Sequence, residues 1–434
     1  MVLYYLILNE HTTIMNPNNP DRLKKDSNES RTLFPRIIMP GVIESLKSFP
    51  VTLITGARQT GKSTLAMQIF ENYVTFDDIN AYNSSKSDPV SFIKNLKKPV
   101  VLDEIQKVPE ILNTIKYDVD SNKTPGRFLL TGSSDIISFK NIADTLAGRI
   151  GIFELFPLTA KEIAYKKENI ADILFKSGIE NFVVPKINQT SIFTQIIKGG
   201  YPGVQRLDSE KIRRIWFSSY VMTYIERDVR DIGELRHIDK FIRMLNMIAP
   251  LSANLFNKSE LSKDAGIDNK TLDNYIYLLQ KVYQIYILTP FSKNINKRFV
   301  KMPKIYMTDS GILSYMLGIN SVEDFINSRY NGAILETFVF SELLKGIKYL
   351  NYPSGLYFYR THDKEEIDFI LQKDGQIIAI EVKMSQTVSE KDFKHIIGLK
   401  ENIENFKSGF VLYAGDKILP FGKNIYAIPV SILF

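Results

Sequence analysis

The 434-residue chain contains no cysteine, which excludes disulfides and thiolate zinc centres as sources of stability or chemistry. Long hydrophobic runs are also missing: none approaches the ~18 apolar residues that a membrane-spanning helix needs. The opening stretch MVLYYLILNEHTTIM has no positive charge before its apolar part and no small-residue cleavage site after it. It reads as a poor signal peptide, and as an extension upstream of Met15 or an extra strand. With no leader and no membrane segment, the cytoplasm is the expected location. No repeat of fixed period runs through the chain, so solenoids and propellers are not expected.

What is present is ordinary for a globular protein. Hydrophobic residues make up 44% and charged residues 24%. The length suggests two to four domains. The net charge of +7 leans mildly toward polyanionic partners, though many proteins without such partners are equally basic. Residues 1–31 include the polar, Asn-rich NPNNPDRLKKDSNES and are expected to form a flexible extension. From 32 to 157, short apolar runs alternate with helical stretches. VTLIT, PVVLDEI and RFLLTGSS read as buried strands of a parallel sheet, which points to an α/β layered domain.

GARQTGKS (56–63) fits the pattern G-x-x-x-x-G-K-[ST]. It follows a strand and opens a helix, the context this pattern requires. The glycines let the backbone curl so that N–H groups of Gly56, Ala57, Arg58, Gln59, Thr60 and Gly61 face a phosphate, and the helix start adds positive potential. Lys62 would reach the β- and γ-phosphates and Ser63, followed by Thr64, would hold Mg²⁺. VVLDEIQ (100–106) is a buried strand ending in two acids. Asp103 would join Ser63 on Mg²⁺, and Glu104 would polarise the attacking water. Thr131 or Ser133, at the end of RFLLTGSS, would bond the γ-phosphate or that water, or mark an ordinary strand exit. Arg149 has two readings as well: an arginine finger reaching a neighbouring subunit, or an ion-paired surface residue.

GARQTGKST, VVLDEIQ, RFLLTGSS, LAGRI, FPLTAKEI and YVMTYIERDVR together resemble the AAA-type ATPases of archaea and bacteria that carry a C-terminal domain of unknown function. The resemblance covers most of the chain from about residue 32. It implies an additional-strand P-loop fold with Glu104 as the catalytic acid, and ATP as the nucleotide.

Residues 158–235 turn helical and are expected to form a lid or linker, broken by GGYPG. Within 236–310, NKSELSKDAGIDNKTLDNYIYLLQKVYQIYIL reads as helix, turn, helix, strand. Gly266 suits the turn, Asp268 or Asn269 caps the second helix, and Leu272, Tyr275, Ile276 and Leu279 form its apolar stripe. The basic hairpin SKNINKRFVKMPK follows. This resembles a winged helix, which would set the helix beginning near Lys270 in a DNA groove and Lys293, Lys297, Arg298, Lys301 and Lys304 on phosphates. A packing or protein-contact module is the alternative.

Residues 311–434 are expected to form an α/β domain. In EIDFILQKDGQIIAIEVKMS, a two-residue turn at Asp374-Gly375 pairs Lys373 with Gln376. Asp368 then lies opposite Glu381, and Glu366 opposite Lys383, all on one face. Facing carboxylates repel, and a divalent cation between them removes that cost. Glu336 falls on a buried stripe with Phe340, Leu343 and Ile347 and is expected to join them. A solvated hairpin with Glu366 paired to Lys383 is the plain alternative. The D-x₁₂-E-x-K spacing, with an acid on a preceding helix, is similar to the PD-(D/E)xK nuclease superfamily, although Ile367 replaces the leading Pro. That likeness implies Asp368, Glu381 and Glu336 as metal-site acids and Lys383 as the catalytic lysine. The expected activity is ATP hydrolysis coupled to action on DNA, with Mg²⁺-dependent cutting by the C-terminal domain. The alternatives are an ATP-controlled switch that binds nucleic acid or protein without cutting, and a signalling ATPase with a protein partner.

Overall fold

The computed structural model describes residues 33–133, 146–176, 178–225, 238–292, 302–350 and 352–434. The chain divides into two compact units, one reaching Phe156 and the other starting at Pro157. The expected flexible extension 1–31 lies outside the described residues, as do Lys293, Lys297, Arg298 and Lys301 of the basic hairpin.

In the first unit five parallel strands make one sheet: β1 (Val51–Thr55), β2 (Tyr73–Thr75), β3 (Val100–Asp103), β4 (Phe128–Gly132) and β5 (Ile150–Glu154), in the order β2-β3-β4-β1-β5. The apolar runs account for this. β1, β3 and β4 are buried at every position, as strands covered on both faces must be. Val51, Leu53, Val100, Leu102, Phe128 and Leu130 pack with Ile111, Ile115 and Val119 of helix α1 (Ile111–Ser121). Each such side chain contributes about 1.5–3 kcal/mol by leaving water. The polar Thr52 of β1 is buried too, and its hydroxyl is satisfied by Ser45 Oγ at 2.8 Å. β4 lies between the strand that leads into the phosphate loop and the strand that ends in Asp103. This is the extra-strand order expected from the resemblance.

The second unit carries two sheets. A helix Lys258–Ala265 (α2), a turn at Gly266 with φ +68° and a helix Asn269–Lys281 (α3) lie in the chain between the first and second strands of a three-stranded sheet. Asp268 caps α3 through Thr271 N–H at 3.0 Å, and Leu272, Tyr275, Ile276 and Leu279 are buried. The small sheet has the order β6-β8-β7, with β6 at Asn254–Leu255, β7 at Ile285–Leu288 and β8 at Lys304–Met307. Its central strand is antiparallel to both neighbours. The larger sheet has six strands: β9 (Ser354–Arg360), β10 (Glu366–Lys373), β11 (Gln376–Lys383), β12 (Phe406–Tyr413), β13 (Leu419–Gly422) and β14 (Ile425–Pro429), in the order β13-β14-β12-β11-β10-β9. The Asp374-Gly375 turn joins β10 to β11 with Lys373 opposite Gln376, as its chemistry dictates, and both turn residues have positive φ. Helix α4 (Asn331–Lys348) packs against β8, β9, β10 and β11 and is buried along most of its length. No helix of the described residues is long and apolar enough to cross a membrane.

Candidate functional site

The phosphate loop is built on close backbone contacts. Gly56 has φ +146°, and a Cβ there would lie 2.2 Å from the carbonyl oxygen of Leu155, so no side chain fits. Gly61 has φ +96° and Gln59 has φ +60°, the left-handed values that curl the loop. Thr60 Oγ1 donates to Ala57 O at 2.9 Å and stiffens the curl. The buried ammonium of Lys62 donates to Gly56 O at 3.0 Å and to Ala57 O at 2.7 Å, which holds it at the loop. Arg58 is half-buried, whereas Gln59 and Thr64 face solvent. One support went unforeseen: buried Arg36 donates to Thr60 O and to Phe156 O, each at 2.7 Å, and so ties the loop to the chain leaving β5. Nothing in the local sequence around Arg36 signals this role.

Ser63 Oγ, on the first turn of the helix Lys62–Met67, donates to Asp103 Oδ1 at 3.1 Å. Thr131 Oγ1 bonds the same oxygen, and Tyr73 OH bonds Oδ2. Thr131 therefore faces Asp103. The register explains it: Ile54 of β1 pairs with Thr131, and Leu102 of β3 pairs with Leu130, which brings Asp103 level with Thr131. Burial and the adjacent Asp103 raise the Tyr73 phenol well above its ordinary value, so Tyr73 stays a donor. Tyr73 was also unforeseen, because its strand gives no chemical signal.

Glu104 has φ +57°, a left-handed conformation that a non-glycine residue adopts only at some cost. Its carboxylate meets the amide of Gln106, whose Nε2 also donates to Ser133 Oγ at 2.9 Å. Gln106 Oε1 is buried and has no partner among the described residues. The end of β4 and the acid pair are thus linked through a glutamine two residues past Glu104. Arg149 Nε donates to Asp120 Oδ1 at 2.5 Å, and the pair is partly exposed. These residues suit a nucleoside triphosphate with its cation: a glycine cradle, a lysine at the loop, and a hydroxyl beside a buried carboxylate.

The second cluster lies in the second unit. Asp368 and Glu381 do meet at the open end of the β10–β11 hairpin, next to the paired Phe369 and Ile380. Asp368 Oδ2 accepts from the Val382 N–H at 2.8 Å. Glu336 reaches the same pocket from α4. Lys383 Nζ donates to Glu381 Oε1 at 2.8 Å. The ion pair of Glu366 with Lys383, which was the plain alternative, is not found among the described residues. A register shift between Ile367 and Ile370 bends β10 against β9, and Glu366 bonds Arg360 there.

Lys304 is the largest departure. It was expected on an exposed wing facing phosphates. It is instead buried at the start of β8, with Nζ 3.1 Å from Glu336 Oε1, 2.7 Å from Glu366 Oε1 and 3.8 Å from Asp368 Oδ1. Tyr306, two residues along the strand, donates to the same Glu336 oxygen at 2.6 Å. Burial opposes the Lys304 charge, but Glu336, Asp368 and Glu366 outweigh it and hold its pKa above the ordinary lysine value. Burial, reinforced by Asp368, pushes the Glu336 carboxyl up to about 8 against the pull of Lys304 and Tyr306. Burial and Asp368 push Glu381 up to about 7, with Lys383 opposing.

Among the described residues no three Asp, Glu, His or Cys side chains are gathered to hold a metal ion. Lys270 is exposed at the second position of α3.

Comparison with known proteins bears on both units. Residues 48–164 match an AAA domain. An ATPase-like AAA domain thus occupies the front of the chain. Residues 189–323 and 331–433 match two families described only as domains of unknown function, DUF8612 and DUF4143. An uncharacterized protein of Mycobacterium tuberculosis is 27% identical over 392 residues, covering 89% of this chain and 81% of its own length. An uncharacterized protein of Methanocaldococcus jannaschii is 25% identical over 364 residues, 79% of this chain and 77% of its own. Among solved structures, the Walker-type ATPase of Pyrococcus abyssi is 19% identical with a TM-score of 0.40, over 66% of this chain and 96% of that one.

Proposed function

We propose that this protein is an ATP-binding and ATP-hydrolysing AAA-type protein that acts on DNA through binding, with the nuclease-like C-terminal region serving as a non-cutting module. The convergence of Ser63, Thr131 and Tyr73 on Asp103 beside the glycine loop carries the hydrolytic part. Lys62 and the loop N–H groups would bind the phosphates. Ser63 and Asp103 would hold Mg²⁺, which supplies charge neutralisation when bound. Glu104 is the base toward water, and Gln106 keeps its carboxylate aimed. The net charge of +7, exposed Lys270 on α3 and the helix-turn-helix with its antiparallel sheet support a nucleic-acid partner. Turnover of ATP with and without duplex DNA tests this. Stimulation by DNA, lost in Lys62→Ala, is expected; turnover that DNA leaves unchanged, with no salt-dependent DNA affinity, overturns the DNA half.

A second reading, Mg²⁺-dependent cutting, draws on the meeting of Asp368 with Glu381, whose buried Oε2 has no partner among the described residues. The ammonium of Lys304 weighs against it. Incubation of the protein with plasmid, single-stranded and branched DNA in Mg²⁺ or Mn²⁺ separates the two, because cleavage lost in Asp368→Ala would restore the cutting reading.

A further inference from the structure

We infer that Lys304 is the resident cation of the acidic pocket, and that its buried ammonium keeps divalent metal ions out of the site. This rests on the binding reading of the C-terminal region and deepens it by naming what closes the site.

The argument starts from the backbone. β8 is the central strand of its sheet, and Lys304 pairs with Leu288 of β7 on one side and Leu255 of β6 on the other. A residue pinned on both sides cannot withdraw by a local bend. Its stem has no route to water either, since the side chain is only 3% exposed. The ammonium is therefore delivered to a fixed point. Side chains two apart on a strand share a face. Lys304 and Tyr306 use this to place two donors on one oxygen of Glu336, at 3.1 and 2.6 Å.

The acceptors are committed in turn. Glu366 gives one oxygen to Lys304 and the other to Arg360. Asp368 accepts from the Val382 N–H. The ring of Phe358 lies 5.7 Å from Nζ and adds a further favourable face for the cation. A divalent ion bridging Glu336 and Asp368 would have to share their oxygens with an ammonium already beside them. Like charges at that separation in a buried site repel strongly. Loss of the lysine charge should reverse this, leaving facing carboxylates whose repulsion a divalent ion relieves.

Mn²⁺ titration of the full-length protein without nucleotide, with free metal read by its paramagnetic signal, tests the assignment. Wild type and Asp368→Asn are expected to bind the same number of ions with the same affinity, because the phosphate-loop site is common to both. Lys304→Met is expected to gain one ion, bound at least tenfold more tightly than any in wild type, and to lose it in the Lys304→Met/Asp368→Asn double variant. An ion held by wild type and lost in Asp368→Asn overturns the inference. So does a folded Lys304→Met that gains none. Should Lys304→Met fail to fold, the comparison of wild type with Asp368→Asn still decides. DNA cleavage on the same preparations is scored separately, so a failure of the binding reading is seen as cut product and a failure of the Lys304 assignment as metal uptake.

Discussion

Asp103 and Asp368 are both buried carboxylates near the ends of strands, and they are stabilised in opposite ways. Asp103 is met by hydroxyls, those of Ser63, Thr131 and Tyr73. A hydroxyl donates a hydrogen bond and brings no positive charge. Asp368 shares its pocket with the ammonium of Lys304, which cancels charge directly. A buried anion that is bonded but not neutralised favours an incoming cation, and one that is already neutralised does not. The chain therefore carries two acid sites of similar appearance in sequence, one carboxylate ringed by hydroxyls and the other beside an ammonium.

The largest expected effects break the first half of this contrast. Asp103→Asn removes the carboxylate that these hydroxyls meet and is expected to lower ATP turnover at least about 10²-fold. Glu104→Gln is expected to lower it about 10²–10⁴-fold, the usual contribution of a general base, while nucleotide binding persists. Steady-state turnover together with binding of a fluorescent nucleotide separates the two, and a Glu104→Gln protein that turns over at the wild-type rate would remove Glu104 from the mechanism.

Lys304→Met breaks the second half. Removing one member of a buried ion cluster leaves its partners unpaired, and about 3–5 kcal/mol of stability is expected to go with it. Urea unfolding of the C-terminal signal checks this, and Mn²⁺ should restore part of the loss in the variant but not add to wild type. A variant as stable as wild type would mean that the carboxylates take up protons at little cost and that the ammonium is not their main support.

How far these sites can be seen in sequence follows from what each depends on. The phosphate loop and the Asp103–Glu104 pair are short-range patterns, set by glycine conformations and by a strand that must end in acids. The Asp374-Gly375 turn is local as well, and it fixed the pairing of Lys373 with Gln376. Lys304 failed for a physical reason. It follows a run of basic residues, and a charge run usually means a solvated surface. Its strand, however, reads Lys-Ile-Tyr-Met and is buried at every position. The acids that accept Lys304 lie 32 and more residues downstream, on elements that no local pattern connects to it. Arg36 and Tyr73 were missed likewise, since each acts through a contact made only when distant segments align, and Gln106 reaches Ser133 in the same way although its bond to Glu104 is local. The register shift at Ile367–Ile370 could not be read either, nor could the pairing of Glu366 with Arg360 beside it.

A smaller effect sharpens the description of the hydrolytic site. Gln106→Ala removes the amide that joins Glu104 to Ser133. One hydrogen bond in a reacting geometry is worth ~1.4 kcal/mol, so turnover should fall about tenfold with nucleotide affinity unchanged. An equal loss of binding and turnover would make Gln106 a support for the loop and not for the base.

The smallest effect concerns the charge balance of the second site. Glu336, Glu366, Asp368 and Glu381 face Lys304, Arg360 and Lys383, four acids against three bases, so one proton completes the balance. Glu336 is placed to carry it, with its pKa raised from 4.5 to about 8. A carboxyl raised on folding binds its proton more tightly in the folded chain than in the unfolded one. Its contribution is fully present below about pH 4.5 and is lost as pH rises through about 8. Gln at this position is neutral at every pH. The stability of Glu336→Gln relative to wild type should therefore rise from pH 5 to pH 9. Urea midpoints at the two pH values measure it. A difference that does not change with pH would mean that Glu336 stays ionised against Lys304, and that the pocket holds a net negative charge which the lysine does not cancel.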